Sequence, residues 1–167
     1  MVMTIGRMLR HLFIPPWRVR LAFPGSTLRA IESAIRECEA SHSGEIRFAV
    51  EGTLHLRALL RGQTARDRAV EVFSQLRVWD TEQNNGVLIY LLLADHDVEI
   101  LADRGVHARV GTEGWERICH EMEAMLRLGD FAAGVLSGIR AVSARLVEHY
   151  PSKPNDKNEL ANKPIVL

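Results

Sequence analysis

A chain of 167 residues is long enough for one domain with a full hydrophobic core and short for two. With 47% apolar and 25% charged residues it falls among ordinary globular proteins, which excludes a disordered or fibrous chain. Its 21 basic and 21 acidic side chains cancel, so the global attraction of a nucleic-acid-binding surface is absent and no nucleic-acid partner is expected.

No apolar run approaches the ~18 residues of a membrane span. The N-terminus carries arginines but no continuous apolar stretch or small-residue cleavage site of a signal peptide. Cys38 and Cys119 make no redox or metal spacing and read as thiols in a reducing compartment. A cytoplasmic protein is the expectation. The charge is nonetheless unevenly placed. Arg7, Arg10, Arg18, Arg20 and Arg29 all precede the first acid, Glu32, and every lysine lies at or beyond Lys153.

In chain order, Ile5, Met8, Leu9, Leu12 and Phe13 recur at helical spacing with Arg7, Arg10 and His11 on the other side, and Pro15-Pro16 stops the helix. Such a helix either lies on an anionic membrane surface or a partner, through residues 1–14, or folds back over its own domain. Trp17 to Pro24 alternates and predicts an extended arm. These 24 residues precede an α/β domain over 25–151 and a polar tail over 152–167.

The domain opens with a helix carrying Leu28, Ile31, Ile35 and Cys38, for which Ser26 or Thr27 is the predicted cap. Glu45 to Glu51 alternates as a first strand. Leu54 to Arg61 predicts a turn of helix, and Thr64 with Asp67 a capping arrangement for the helix of Ala69, Val72, Phe73 and Leu76. Val87 to Leu93 is an unbroken apolar run that suits a strand buried on both faces, and Asp97 to Asp103 a second strand after a tight turn at Asp95-His96-Asp97. Two further helices follow. Thr112 caps the one of Trp115, Ile118, Cys119, Met122 and Leu126, and Asp130 the one of Phe131, Val135, Ile139, Val142 and Leu146. The tail predicts no regular structure, although Pro164-Ile165-Val166-Leu167 is apolar enough to dock. Helices with one apolar stripe around a doubly buried strand give a three-layer α/β/α sandwich with a small mixed sheet.

An antiparallel pairing of the two central strands sorts the polar residues to two ends of the sheet. Asp80, Glu82, Asn84 and Asn85 gather near Asp103 and Arg104, offering the carboxylate and amide oxygens that a hard cation such as calcium takes. The other reading of this end is a solvated, internally salt-bridged loop, with Arg77, Arg104 and Arg109 close by. Asp95, His96 and Asp97 lie at the opposite end, where a hairpin turn makes their side chains diverge. If the first strand runs parallel to the central one, ligands favour that opposite end, near Glu51, Thr53 and Asp95. No nucleophile elbow, phosphate-binding Gly-Lys-Ser loop, H-E-x-x-H or paired-cysteine motif occurs.

Asn84-Asn85-Gly86 followed by Val87 to Leu93, a second strand ending near Gly105, and Gly129-Asp130-Phe131 with Gly134 resemble, in kind and order, the TPM domain family. That family includes thylakoid-lumen proteins of photosystem II repair and bacterial envelope-associated homologues. The resemblance spans about Leu28 to Tyr150. It implies the α/β/α sandwich, divalent-cation binding by loop acids and, for some relatives, an acid phosphatase activity. Here Asn84 stands where the family tends to have Asp, Asp103-Arg104-Gly105 replaces a Gly-x-Gly, and His107 replaces an acid. Two functions are therefore weighed. The first is a non-catalytic TPM-type module engaging a protein partner, with a divalent cation such as calcium as candidate cofactor. The second is a weak metal-dependent acid phosphatase-like hydrolase, in which Asp80, Glu82, Asn84, Asn85 and Asp103 hold the ion and Arg104 contacts phosphate.

Overall fold

A strand buried on both faces needs helices on each side of it. All seven residues of β2 (Gly86–Leu92) are buried, and the computed structural model, which describes residues 5–15, 17–154 and 157–167, supplies both layers. β1 (Glu45–Glu51) runs parallel to β2, with Glu45 opposite Gly86 and Glu51 opposite Leu92. β3 (Asp97–Ala102) pairs antiparallel on the other side of β2, and β4 (Ile165–Val166) adds a parallel edge to β1, giving the order β3-β2-β1-β4.

Alternation then sorts the side chains. Ile46, Phe48 and Val50 with Val87, Ile89 and Leu91 pack in one core with α3 (Gly25–Glu39), α7 (Thr112–Arg127) and α8 (Phe131–His149). Ala49, Leu88, Tyr90 and Leu92 pack in a second core with α4 (Leu56–Leu60) and α5 (Ala65–Gln75). The mixed-sheet sandwich expected from the sequence is the fold observed. In α7 the five positions predicted inward, Trp115 to Leu126, are the buried ones. Thr64 and Asp67 close a reciprocal capping box on α5, with Asp67 N–H donating to Thr64 Oγ1 at 3.0 Å and Thr64 N–H to Asp67 Oδ2 at 2.9 Å.

Four expectations are corrected. Trp17 to Pro24 is not an extended arm, because α2 (Trp17–Ala22) is a helix preceded by α1 (Ile5–Phe13). Burying Val19 and Phe23, four residues apart, satisfies a helix as well as it satisfies an alternating strand. Pro16, expected to stop α1, lies outside the described residues, as do residues 1–4. Gly105 and its neighbours belong to a helix that carries no apolar period, α6 (Arg104–Val110), which buries Val106 alone and is started by the Asp103 side chain. Pro24 and Gly111, rather than Ser26, Thr27 or Thr112, take the N-cap positions of α3 and α7.

Among the described residues the polar tail is irregular as expected until β4, whose formation at 165–166 departs from that expectation, and the tail is anchored. The Glu45 carboxylate accepts the backbone N–H groups of Glu159 and Leu160 at 2.9 and 3.1 Å, and Leu167 N–H donates to Val50 O at 2.9 Å. Glu39 receives Ile46 N–H at 2.8 Å and the Asn162 side-chain amide. Burial, reinforced by the charge of Glu45, pushes the Glu39 carboxyl up to about 8. The folded chain therefore holds a proton on Glu39 that the unfolded chain releases near pH 4.5, and this contribution to stability is lost as pH rises from there through about 8. Glu39→Gln keeps an accepting oxygen and removes the titration. Denaturation curves taken from pH 5 to 8 should show the variant gaining on the wild type as pH rises, whereas a constant difference would mean that Glu39 ionises freely.

Candidate functional site

At the end of the sheet where β1 and β2 begin, Asn84-Asn85-Gly86 works as a splice between strands. Asn84 takes a left-handed backbone, with φ 52°. Asn85 is fully buried; its amide donates to Ser43 O, its N–H to Thr81 Oγ1 at 3.1 Å, and its carbonyl accepts Glu45 N–H at 3.2 Å. A Cβ on Gly86 would lie 2.0 Å from the Val78 carbonyl oxygen, so the chain passes there only as glycine. The pattern that carries the family resemblance thus has a structural reason at each residue.

The candidate cation ligands of the sequence lie around this splice but do not all converge. Asp80 and Glu82 are exposed, and the Glu82 N–H donates to Glu159 Oε2 at 2.9 Å. Asp103 caps α6, accepting Arg104 N–H on Oδ1 at 2.7 Å, and its own N–H donates to Gly86 O at 2.8 Å. Asn85 Oδ1 and Asp103 Oδ2 are buried without a hydrogen-bond partner. Asn84 and Arg104 share a shallow depression with Arg109 and Tyr150, where the guanidinium of Arg109 stands 4.9 Å over the Tyr150 ring. Among the described residues, no three His, Cys, Asp or Glu side chains are grouped to hold a metal ion.

The opposite end is organised by Asp95. A single 3₁₀ turn over Leu93–Asp95 and a left-handed His96 (φ 50°) reverse the chain into β3, and the three turn side chains diverge as the turn reading predicts. His96 turns to Phe131, with ring centroids 6.0 Å apart. Burial pushes the Asp97 carboxyl up to about 6, with Glu99 and Glu123 adding to the shift. Asp95 points inward to α1, where Arg7 Nε donates to Oδ2 at 2.8 Å and His11 Nε2 stands 3.1 Å from the same oxygen. The exposed Arg10 reaches Oδ1 at 3.3 Å. His11 Nδ1 accepts the Leu54 N–H at 3.0 Å, which places the imidazole proton on Nε2, facing Asp95. Burial alone would raise the Asp95 carboxyl; the hydrogen bonds from His11 and Arg7 outweigh it and hold the group below its ordinary value.

This ion cluster turns α1 round. Arg7 and His11, four apart, form the docked face, and Arg7 also donates to Gln63 O at 3.0 Å. Leu9, Leu12 and Phe13 on the far side are 43%, 60% and 73% exposed. α2 also turns large apolar side chains outward, Trp17 and Leu21 at 61% and 70%, although its docked residue is the apolar Val19. Sequence reasoning named α1 and Asp95 but did not join them. The signal was an Arg/His pair at i, i+4 opposite an apolar stripe. Beside the helices, an open cavity of about 800 Å³ is lined by Arg10, Arg18, Leu21, Ala94, His96 and Phe131. With β1 and β2 parallel, it lies just beyond the carboxyl end of β2, where open sheets gather ligands.

Burial also shifts a phenol and a thiol. Tyr90 hydroxyl and Arg68 Nε both donate to Glu51 Oε2 at 2.8 Å, and burial lifts the phenol well above its usual range. Burial pushes the Cys119 thiol up to about 12, away from the thiolate a nucleophile needs.

The sequence profile of the TPM domain matches residues 22–145, and the chain belongs to that family. The BA42 protein of the psychrophilic bacterium Bizionia argentinensis is similar in structure, with a TM-score of 0.76 and 30% identity over 87% of this chain and 95% of that one. The N-terminal domain of a protein from P. gingivalis has a TM-score of 0.63 and 19% identity over 84% of this chain and 95% of that one, a likeness of fold alone. No match was found among curated proteins.

Removing one partner of a buried ion pair costs on the order of 3–5 kcal/mol when the remaining charge stays buried. In Asp95→Ala the Arg7 charge can escape to water if α1 lifts away, so the loss should be local. Amide hydrogen exchange should rise at least about tenfold across α1 while α7 and α8 keep their protection. Unchanged exchange in α1 would show that Asp95 does not hold the helix.

Proposed function

We propose that this TPM domain is a binding module that meets a partner through the outward apolar faces of α1 and α2, rather than a catalyst. One observation carries the reading: α1 is fixed to the domain by its charged side, leaving Leu9, Leu12 and Phe13 outward. Large apolar side chains grouped on the surface of a soluble domain mark interaction sites. The buried acids support the same view, because Asp95, Glu51 and Glu45 are occupied with internal hydrogen bonds. No helix among the described residues is long and apolar enough to cross a membrane. Cys38 and Cys119 as free thiols fit a reducing, cytoplasmic setting.

The test compares wild type with Leu12→Ser/Phe13→Ser, each as the 167-residue chain, immobilised in an extract of the native host. Both substituted positions are exposed, so melting temperatures should agree. Wild type should retain saturable ligand that the variant loses. Equal retention by the two proteins would contradict the assignment.

A second reading places a divalent cation at the Asn85 and Asp103 end, with phosphate-ester hydrolysis as the accompanying activity. In its favour stand the unpartnered Asn85 Oδ1 and Asp103 Oδ2, with Arg104 beside them for phosphate. Against it, exposed Asp80 and Glu82 add no buried ligands, and Arg104 and Arg109 raise the positive charge nearby. Calorimetry with calcium, magnesium and manganese decides this. Binding heat that disappears in Asp103→Asn would establish the cation, and no heat with no melting shift at millimolar ion would remove it.

A further inference from the structure

We infer that the partner of the α1–α2 face is an anionic lipid surface, on which both helices lie in the plane of the headgroups. This rests on the binding-module reading and names its target. α2 carries the sharper geometry. At 100° per residue, Trp17 and Leu21 project opposite the buried Val19, and Arg18 and Arg20 flank them on either side. A Trp-Leu stripe bordered by arginines is the arrangement of an interfacial helix, whose rings and aliphatic chains enter the acyl boundary while the guanidinium groups stay at the phosphates. In α1, Leu9, Leu12 and Phe13 project outward, with the exposed Arg10 to one side.

Charge selects the occupant. No carboxylate lies before Glu32, and Arg18 and Arg20 on α2 are exposed; Arg10 on α1 is exposed too, with part of its charge met by Asp95. A second copy of this chain would bring the same arginines to the interface, so like charges would meet across it. A negatively charged leaflet complements them at about 1 kcal/mol per arginine near the surface. The buried Asp95 cluster supplies the remaining requirement. It holds α1 through Arg7 and His11, so insertion of the apolar face need not break any contact with the domain.

Co-sedimentation of the 167-residue chain with vesicles tests this, using phosphatidylcholine alone and phosphatidylcholine with about a third phosphatidylglycerol. Binding is expected to the anionic vesicles, weakened by salt. Arg18→Glu/Arg20→Glu and Phe13→Ser/Trp17→Ser should each reduce it on the order of tenfold or more, with melting temperatures unchanged. Equal binding to both vesicle types would overturn the role of charge. Absence of binding to either would overturn the lipid target. In that event, retained ligand lost in Leu12→Ser/Phe13→Ser would leave the binding module standing, and unaltered retention would remove both. A concentration-dependent dimer abolished by Phe13→Ser/Trp17→Ser would reassign the face to a second copy and likewise overturn the lipid target.

Discussion

A carboxylate whose side chain is 1% exposed must be met by positive charge or hydrogen bonds, and Asp95 draws both from a helix more than eighty residues earlier. That demand fixes which side of α1 faces the domain. An amphipathic helix left to hydrophobic burial alone would turn its leucines inward. Here Arg7 and His11 occupy the inward side, and the leucines and Phe13 are left to water. The interaction is directional as well as strong. Because Leu54 N–H must donate to His11 Nδ1, the ring can offer Asp95 only Nε2, and helix rotation is fixed by two hydrogen bonds at once. Desolvation of Arg7 and Asp95 offsets much of their attraction, so what the cluster fixes most clearly is the rotation of the helix, and with it what the surface displays.

The body of the fold was legible because its signals are local and redundant. Val87 to Leu92 reads as a doubly buried strand and is one, with Leu93 of the same apolar run opening the 3₁₀ turn, and the α7 stripe from Trp115 to Leu126 repeats at one period for three turns. Elements that failed were short or ambiguous in period. α2 buries positions shared by a strand and a helix, and α6 buries one side chain, so neither carries a hydrophobic repeat long enough to read. The end of the chain was legible in part. Its apolar close was expected to dock, but its place as β4 depends on the open edge of β1, which only the sheet order reveals.

The polar sites were less legible, for a different reason. The antiparallel pairing expected of the two central strands put Asp80, Glu82, Asn84, Asn85 and Asp103 at one end of the sheet, and Asn85 and Asp103 both adjoin the Gly86 entry to β2. It could not tell that Asn85 is directed into the gap between strand starts or that Asp80 and Glu82 face water. Asp95 was read as a common turn residue, which it is, while its partners lie in a segment that seemed separate from the domain. Pairings across more than eighty residues leave no spacing signature, and they are where structure and sequence pattern part company in this protein.

The orientation of α1 is the claim on which the proposed binding face depends, and the protonation of one ring reports it. Long-range proton–nitrogen correlation of His11 by NMR distinguishes the two nitrogens directly. A protonated Nε2 with an unprotonated Nδ1 coupled to the Leu54 amide is the result expected of the docked helix. A ring with both nitrogens averaging freely, or with the proton on Nδ1, would mean that His11 does not face Asp95 and that the outward apolar face does not exist in solution.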